Sequence, residues 1–200
     1  MQPADFQVSL TRSHYVSALE GTNNLLFYLA STAEIADKKM RLPPALIVSL
    51  GLPPEIKTMF DYRSRYPGIY NRAHQFCVIS LCADIEEFFK ALFSERGYTP
   101  GKGRGFFQRF NDVISILTSI GFDFTTLSSE FQHLQRAFQV RHICIHNLGR
   151  VDQKFANTTK LPVIVGDLYA VTQDEYRSMF DAYAHFLKHV DATLASANSS

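Results

Sequence analysis

The sequence predicts an all-α fold, a bundle of five to six helices with a small β-hairpin inserted before the C-terminal helix. Three observations predict it. Apolar residues recur at three- and four-residue spacing in successive windows along most of the chain. Glycine and proline fall between those windows, where they end helices or prevent their continuation. Only the stretch Leu161–Val171 concentrates β-branched residues around a Gly-Asp turn. With 200 residues, 46% of them hydrophobic and 17 Phe with 9 Tyr, the chain can bury one aromatic core. The predicted organisation is therefore a single domain over residues 1–195, with the hairpin insertion at about 151–172 and a frayed tail at 196–200.

Taken in order, residues Asp5 to Lys39 carry Val8, Tyr15, Leu19, Leu25, Leu26, Leu29 and Ile35 at mostly helical spacing, as one long helix or two short ones meeting near Gly21. Leu42-Pro43-Pro44 and Leu52-Pro53-Pro54 bracket a short helix. Asp61 to Gly68 reads as a loop. Asn71 then caps a long helix whose core face carries Phe76, Ile79, Cys82, Ala83, Phe89, Leu92 and Phe93, and Gly97 ends it. Gly101-Lys102-Gly103-Arg104-Gly105 is a flexible basic loop. Phe106 to Ile120 restores the helical period, and Gly121 stops it. The next helix starts near Leu127-Ser128 and runs through Phe131, Leu134, Phe138 and Val140 to Asn147 and Gly149. Gln173 to Leu194 is the last, with Tyr176, Met179, Phe180, Tyr183, Phe186, Leu187 and Val190 facing the core.

Charge and cysteine content exclude several function classes. A formal net charge of +1 gives no global attraction to nucleic acid, so any such contact must come from a local patch. Cys77, Cys82 and Cys144 are odd in number and form no C-x-x-C pair, which indicates neither a disulfide framework nor a zinc knuckle. Asp5 and Glu20 interrupt the N-terminal apolar stretches, and no run approaches the roughly 18 apolar residues of a membrane span. The expected location is the cytoplasm, with no membrane partner.

The chemistry concentrates at the end of the helix that closes on Asn147. Arg141-His142-Ile143-Cys144-Ile145-His146-Asn147, followed by Leu148-Gly149-Arg150-Val151-Asp152, sets a permanent cation beside two imidazoles that titrate near neutrality. At 100° per residue, Arg141 and His146 lie roughly 140° apart around an ideal helix, whereas His142 and His146 share a face. Cys144, flanked by isoleucines, reads as an apolar filler. His142-x3-His146 and His185-x3-His189 each present two imidazoles on one face, so a histidine metal site between helices is a rival reading. Arg63, Arg65 and Arg72 form a second basic cluster. The glycine-rich loop lacks the P-loop pattern G-x-x-x-x-G-K-[ST].

The arrangement R-polar-x3-H at a helix end, continued by H-N-x-G-x-V-D, resembles the HEPN superfamily of helical nucleotide-binding and RNA-cleaving domains. In fine detail the resemblance covers about Val140 to Phe155; elsewhere it rests on helix order and on the acidic Asp84-Ile85-Glu86-Glu87. It implies a HEPN-like bundle acting as a homodimer, with two copies of the motif facing each other across a composite site. It implies a metal-independent endoribonuclease that needs no cofactor and leaves 2′,3′-cyclic phosphate ends. Arg141 would stabilise the transition-state phosphate, His146 would act as acid or base, and His142 would assist. Asn147, Lys102, Arg104 and Arg109 are the expected substrate-binding residues, with RNA as the partner. One of Asp84, Glu86 and Glu87 would orient Arg141 or a histidine. Family members commonly act in toxin–antitoxin pairs or anti-phage defence, so an antitoxin such as a small nucleotidyltransferase is a further expected partner. The alternative is a catalytically silent HEPN module that binds a nucleotide or a protein.

Overall fold

A computed structural model describes residues 1–24, 26–28, 40–66 and 68–197. Among these residues it contains eight α-helices and no strand: Ser9–Ala18 (α1), Pro44–Ser49 (α2), Met59–Arg65 (α3), Gly68–Arg96 (α4), Phe110–Ser119 (α5), Ser128–His146 (α6), Gln153–Thr159 (α7) and Gln173–Ala197 (α8). None of them is long and apolar enough to cross a membrane. The all-α prediction holds, with more helices than the expected five to six. Leu25, Leu29 and Ile35 of the first apolar pattern, and Asn198 to Ser200 of the tail, lie outside the described residues.

Helix α6 packs along α4 and α8, and α1 lies across α4 and α8. The core between them is largely aromatic. Phe186 meets Phe88 and Phe89 at centroid distances of 6.1 and 5.8 Å, and Phe110 meets Phe131 and Phe138 at 5.4 and 5.8 Å. Such offset and edge-to-face pairs add to the burial term that drives the collapse. Every α8 residue expected in the core is buried. Near Gly21 the first helix does not break; Leu19–Asn23 forms a π-helical turn that continues α1. The N-terminal segment is tied to α8 by the fully buried Asp191, whose carboxylate accepts from the Gln7 and Val8 amides and, at 2.6 Å, from the Thr11 hydroxyl.

Several expectations are corrected. Residues 61–65 of the expected loop Asp61–Gly68 belong to α3, because Thr58 and Asp61 make a reciprocal capping box: the Asp61 amide donates to Thr58 Oγ1 at 3.1 Å and the Thr58 amide to Asp61 Oδ2 at 2.9 Å. Helix α4 begins at Gly68, so Asn71 lies inside it. Phe76, expected in the core, is 67% exposed, and Ala83, also expected there, is exposed; the buried face of α4 is made by Cys77, Val78, Leu81, Cys82, Ile85, Phe88, Phe89, Leu92 and Phe93.

The last correction concerns the hairpin. The Gly166-Asp167 turn exists, with the Asp167 amide donating to the Ile164 carbonyl and Gly166 at φ +96°. Its two arms do not pair with each other. Instead the Gly166 amide donates to Val151 O at 2.8 Å, the Val151 amide to Asp167 O at 2.9 Å and the Tyr169 amide to Gly149 O at 2.9 Å. Residues 149–151, which continue the arginine–histidine motif, therefore take the bonds that a hairpin ladder would need. The outcome is an isolated antiparallel bridge between Arg150 and Leu168. Within the predicted insertion, Gln153–Thr159 is helical.

Candidate functional site

Leu134, Ala137, Phe138, Val140 and Ile143 anchor α6 in the core. Gln135, Gln139, His142 and His146 follow one another at three- or four-residue spacing on another face, and that face lines an open groove of about 440 Å³. Arg141 borders the same groove. The imidazoles of His142 and His146 are 4.9 Å apart between centroids, as their spacing predicted. The glycine-rich loop and the start of α5 line the groove from one side with Arg104 and Arg109, and α7 lines it with Lys154.

Two carboxylates hold the motif. Glu86, buried on α4, places Oε1 3.0 Å from Arg141 Nη2, while the Arg141 side chain keeps limited access to water. Among the three acidic residues singled out on that helix, Glu86 is therefore the one that meets Arg141. Asp152 caps α7, its Oδ1 accepting from the Phe155 amide at 2.7 Å. Its Oδ2 accepts from Asn147 Nδ2 at 2.7 Å and lies 3.8 Å from His142 Nε2. The Asn147 side chain thus braces the turn behind the motif and does not line the groove.

His142 has its pKa lowered from the ordinary imidazole value, first by burial, then by the charges of Lys154 and His146; Asp152 pulls the other way and Arg141 adds to the lowering. His142 is accordingly neutral at pH 7 and available as a proton acceptor. Cys144 is half-buried, and burial pushes its thiol up to about 11 against the pull of Arg72, so it carries no thiolate at neutral pH.

The turn after α6 depends on a close approach. Gly149, at φ +80°, sits against the buried Gln75 of α4. Gln75 Nε2 donates to the Tyr169 carbonyl at 2.9 Å, and Asn71 Oδ1 accepts from the Val171 amide at 2.9 Å. These two amides on α4 hold residues 169–171 against the motif's tail.

The remaining expected site residues divide. Arg104 reaches the groove. Arg109 also borders it, but its Nε is 2.5 Å from Asp112 Oδ2 and its Nη2 donates to the Lys102 carbonyl at 2.9 Å, so it closes the loop on itself. Lys102 does not line the groove. In the second basic cluster, Arg72 donates to Gln75 Oε1 at 2.8 Å and the Arg63 guanidinium lies 5.7 Å from the centre of the Phe60 ring. The two histidine pairs do not converge. His185 Nδ1 is 3.4 Å from Glu130 Oε1, twelve residues before His142 on α6 and thus about 18 Å along its axis. His189 Nε2 contacts the Asp123 carbonyl at 2.5 Å. Among the described residues, no three His, Cys, Asp or Glu side chains are grouped to hold a metal ion.

Sequence reasoning missed Lys154, Gln75 and the double role of Asp152. Lys154 carries a local signal, since it follows the helix cap by two residues and so falls on the first turn beside the motif. No family model, no curated protein and no solved structure matches the chain.

Proposed function

We propose that this protein is a metal-independent endoribonuclease of the HEPN type acting on single-stranded RNA. One observation carries the reading: Arg141, His142 and His146 border one groove, whose rim also bears Arg104 and Lys154. Arg141 holds a non-bridging phosphate oxygen through the guanidinium nitrogens not engaged by Glu86. An imidazole removes the proton of the ribose 2′-hydroxyl, which attacks the adjacent phosphorus. A second imidazole protonates the departing 5′-oxygen, leaving a 2′,3′-cyclic phosphate and a 5′-hydroxyl. His146 and the partner subunit's His146 take these roles across a two-fold homodimer, and His142 assists. DNA lacks the nucleophile and is spared. In the cell such an activity restricts growth as a toxin or anti-phage effector, with an antitoxin such as a small nucleotidyltransferase as partner.

The second reading is a catalytically silent HEPN module that binds a nucleotide or a protein. The Arg141–Glu86 ion pair favours it, because that pair cancels the motif's own cation at close range. Cleavage of labelled single-stranded RNA in EDTA by wild type, Arg141→Ala and His146→Ala, with end-group determination, separates the two. Cyclic-phosphate ends from wild type alone support the nuclease. An inert wild type on a varied RNA set, with retained binding, establishes the silent module instead.

A further inference from the structure

The charges around the groove are not equally available to a ligand. Arg141 is matched by Glu86 and Arg109 by Asp112. Lys154 is exposed, borders the groove, and has no carboxylate or hydrogen-bond partner among the described residues. It lies near enough to His142 for its charge to act on the imidazole. An ammonium without a counter-ion, next to two imidazoles in an open groove, leaves a local excess of positive charge for an anion to neutralise. Arg104 also has no carboxylate or hydrogen-bond partner among the described residues, but it stands on the glycine-rich loop, and of these two cations only Lys154 acts on His142.

We infer that Lys154 is the phosphate-binding cation of this groove, its ammonium contacting a non-bridging oxygen of the phosphodiester that lies against His142 and His146. The identity of the ligand as RNA rests on the proposed function; the anion site does not. The division of labour differs from a lone-arginine site: Arg141, fixed by Glu86, supplies directional donors, and Lys154 supplies the net charge. A bound phosphate also offsets the influence of Lys154 on His142, raising the imidazole's titration midpoint.

The test uses the full chain, 2′-O-methyl RNA as a ligand without the attacking hydroxyl, and inorganic phosphate, with ring signals of His142 followed by NMR. Wild type is expected to bind the 2′-O-methyl RNA with an affinity that falls as salt rises. Lys154→Gln is expected to bind roughly tenfold more weakly, Lys154→Arg close to wild type, and Lys57→Gln, outside the groove lining, unchanged. Phosphate is expected to raise the His142 midpoint in wild type, and much less in Lys154→Gln. Equal binding by wild type and Lys154→Gln, or no binding of either probe by wild type, overturns the assignment. If wild type binds through Lys154 yet cuts no RNA, the nuclease reading falls and the anion site stands. If wild type cuts RNA and Lys154→Gln cuts and binds it equally well, the converse holds.

Discussion

Replacing Gly149 with alanine tests whether the motif's tail is shaped by its contact with α4. The residue has φ +80°, a left-handed conformation that costs an L side chain about 1–2 kcal/mol. A Cβ built there would stand 2.7 Å from Gln75 Nε2 and 3.0 Å from its Oε1, well inside ordinary contact. Gln75 cannot simply swing away. It is 1% exposed, donates to the Tyr169 carbonyl and accepts from Arg72 Nη1. Moving it leaves buried polar groups without partners, at about 1–3 kcal/mol. The expected destabilisation is therefore about 3 kcal/mol, or a fall of about 6–12 °C in Tm for a chain of this length. Thermal and guanidinium unfolding followed by circular dichroism measure it. The companion cycle with Gln75→Ala isolates the contact, because the double variant keeps the backbone strain and loses the clash. It should cost about 1 kcal/mol less than the sum of the single variants. A Gly149→Ala protein within about 0.5 kcal/mol of wild type, or a strictly additive cycle, would refute the reasoning.

Two further outcomes are expected. Glu86→Gln keeps the side chain's shape but leaves the partly buried Arg141 guanidinium without its counter-charge, for a loss of about 1–3 kcal/mol in chemical denaturation. RNA cleavage should fall at least about tenfold as the guanidinium loses its fixed position; undiminished cleavage would show that Glu86 does not position Arg141. Asp191→Asn should cost about 2–3 kcal/mol, since it weakens charge-assisted bonds to Gln7, Val8 and Thr11, and should speed hydrogen exchange at the Gln7 and Val8 amides. Burial alone would raise the Asp191 pKa, but the Gln7 amide, the Thr11 hydroxyl, the Val8 amide and the Lys188 charge outweigh it and hold the carboxyl below its ordinary 3.8. A depressed folded-state pKa contributes stability that is present above 3.8 and lost as pH falls through the folded value. The Asn variant should therefore flatten the acid limb of the stability profile, and an acid limb identical to wild type would exclude Asp191 as its source.

The parts of the fold written in local sequence periods were legible. The long helices announce themselves by core residues such as Phe89, Leu92, Phe186 and Leu187, and Gly97 and Gly121, both at positive φ, stop α4 and α5 as their positions predicted. The hairpin was misread because Val163, Ile164 and Val165 carry strong β propensity, whereas what decides pairing is the partner. Here the partner is residues 149–151, and Ile164 and Val165 remain exposed. Likewise α3 was missed because a basic, tyrosine-rich stretch shows little amphipathic pattern, although Thr58 and Asp61 had the spacing of a capping box. At the candidate site, the shared face of His142 and His146 follows from a four-residue interval. The choice of Glu86 over its acidic neighbours required knowing which face of α4 meets α6.

The electrostatics of the groove could not be read from composition, because a formal charge of +1 is a sum over the chain and a site is a matter of pairing. The four cations bordering the groove, Arg104, Arg109, Arg141 and Lys154, look equivalent in a sequence. Folding gives Arg109 to Asp112 and Arg141 to Glu86, and sets Asp152 near His142, leaving Arg104 and Lys154 as the groove's cations without carboxylate partners among the described residues. The H-N-x-G-x-V-D continuation thereby acquires a physical reason. Asn147 and Asp152 brace each other, Gly149 permits the approach of Gln75, Val151 is buried, and together they deliver α7 to the rim with Lys154 beside the histidines. A nearly neutral protein can in this way present a basic groove, attracting an anionic chain at one place without the non-specific affinity that a high overall charge would bring.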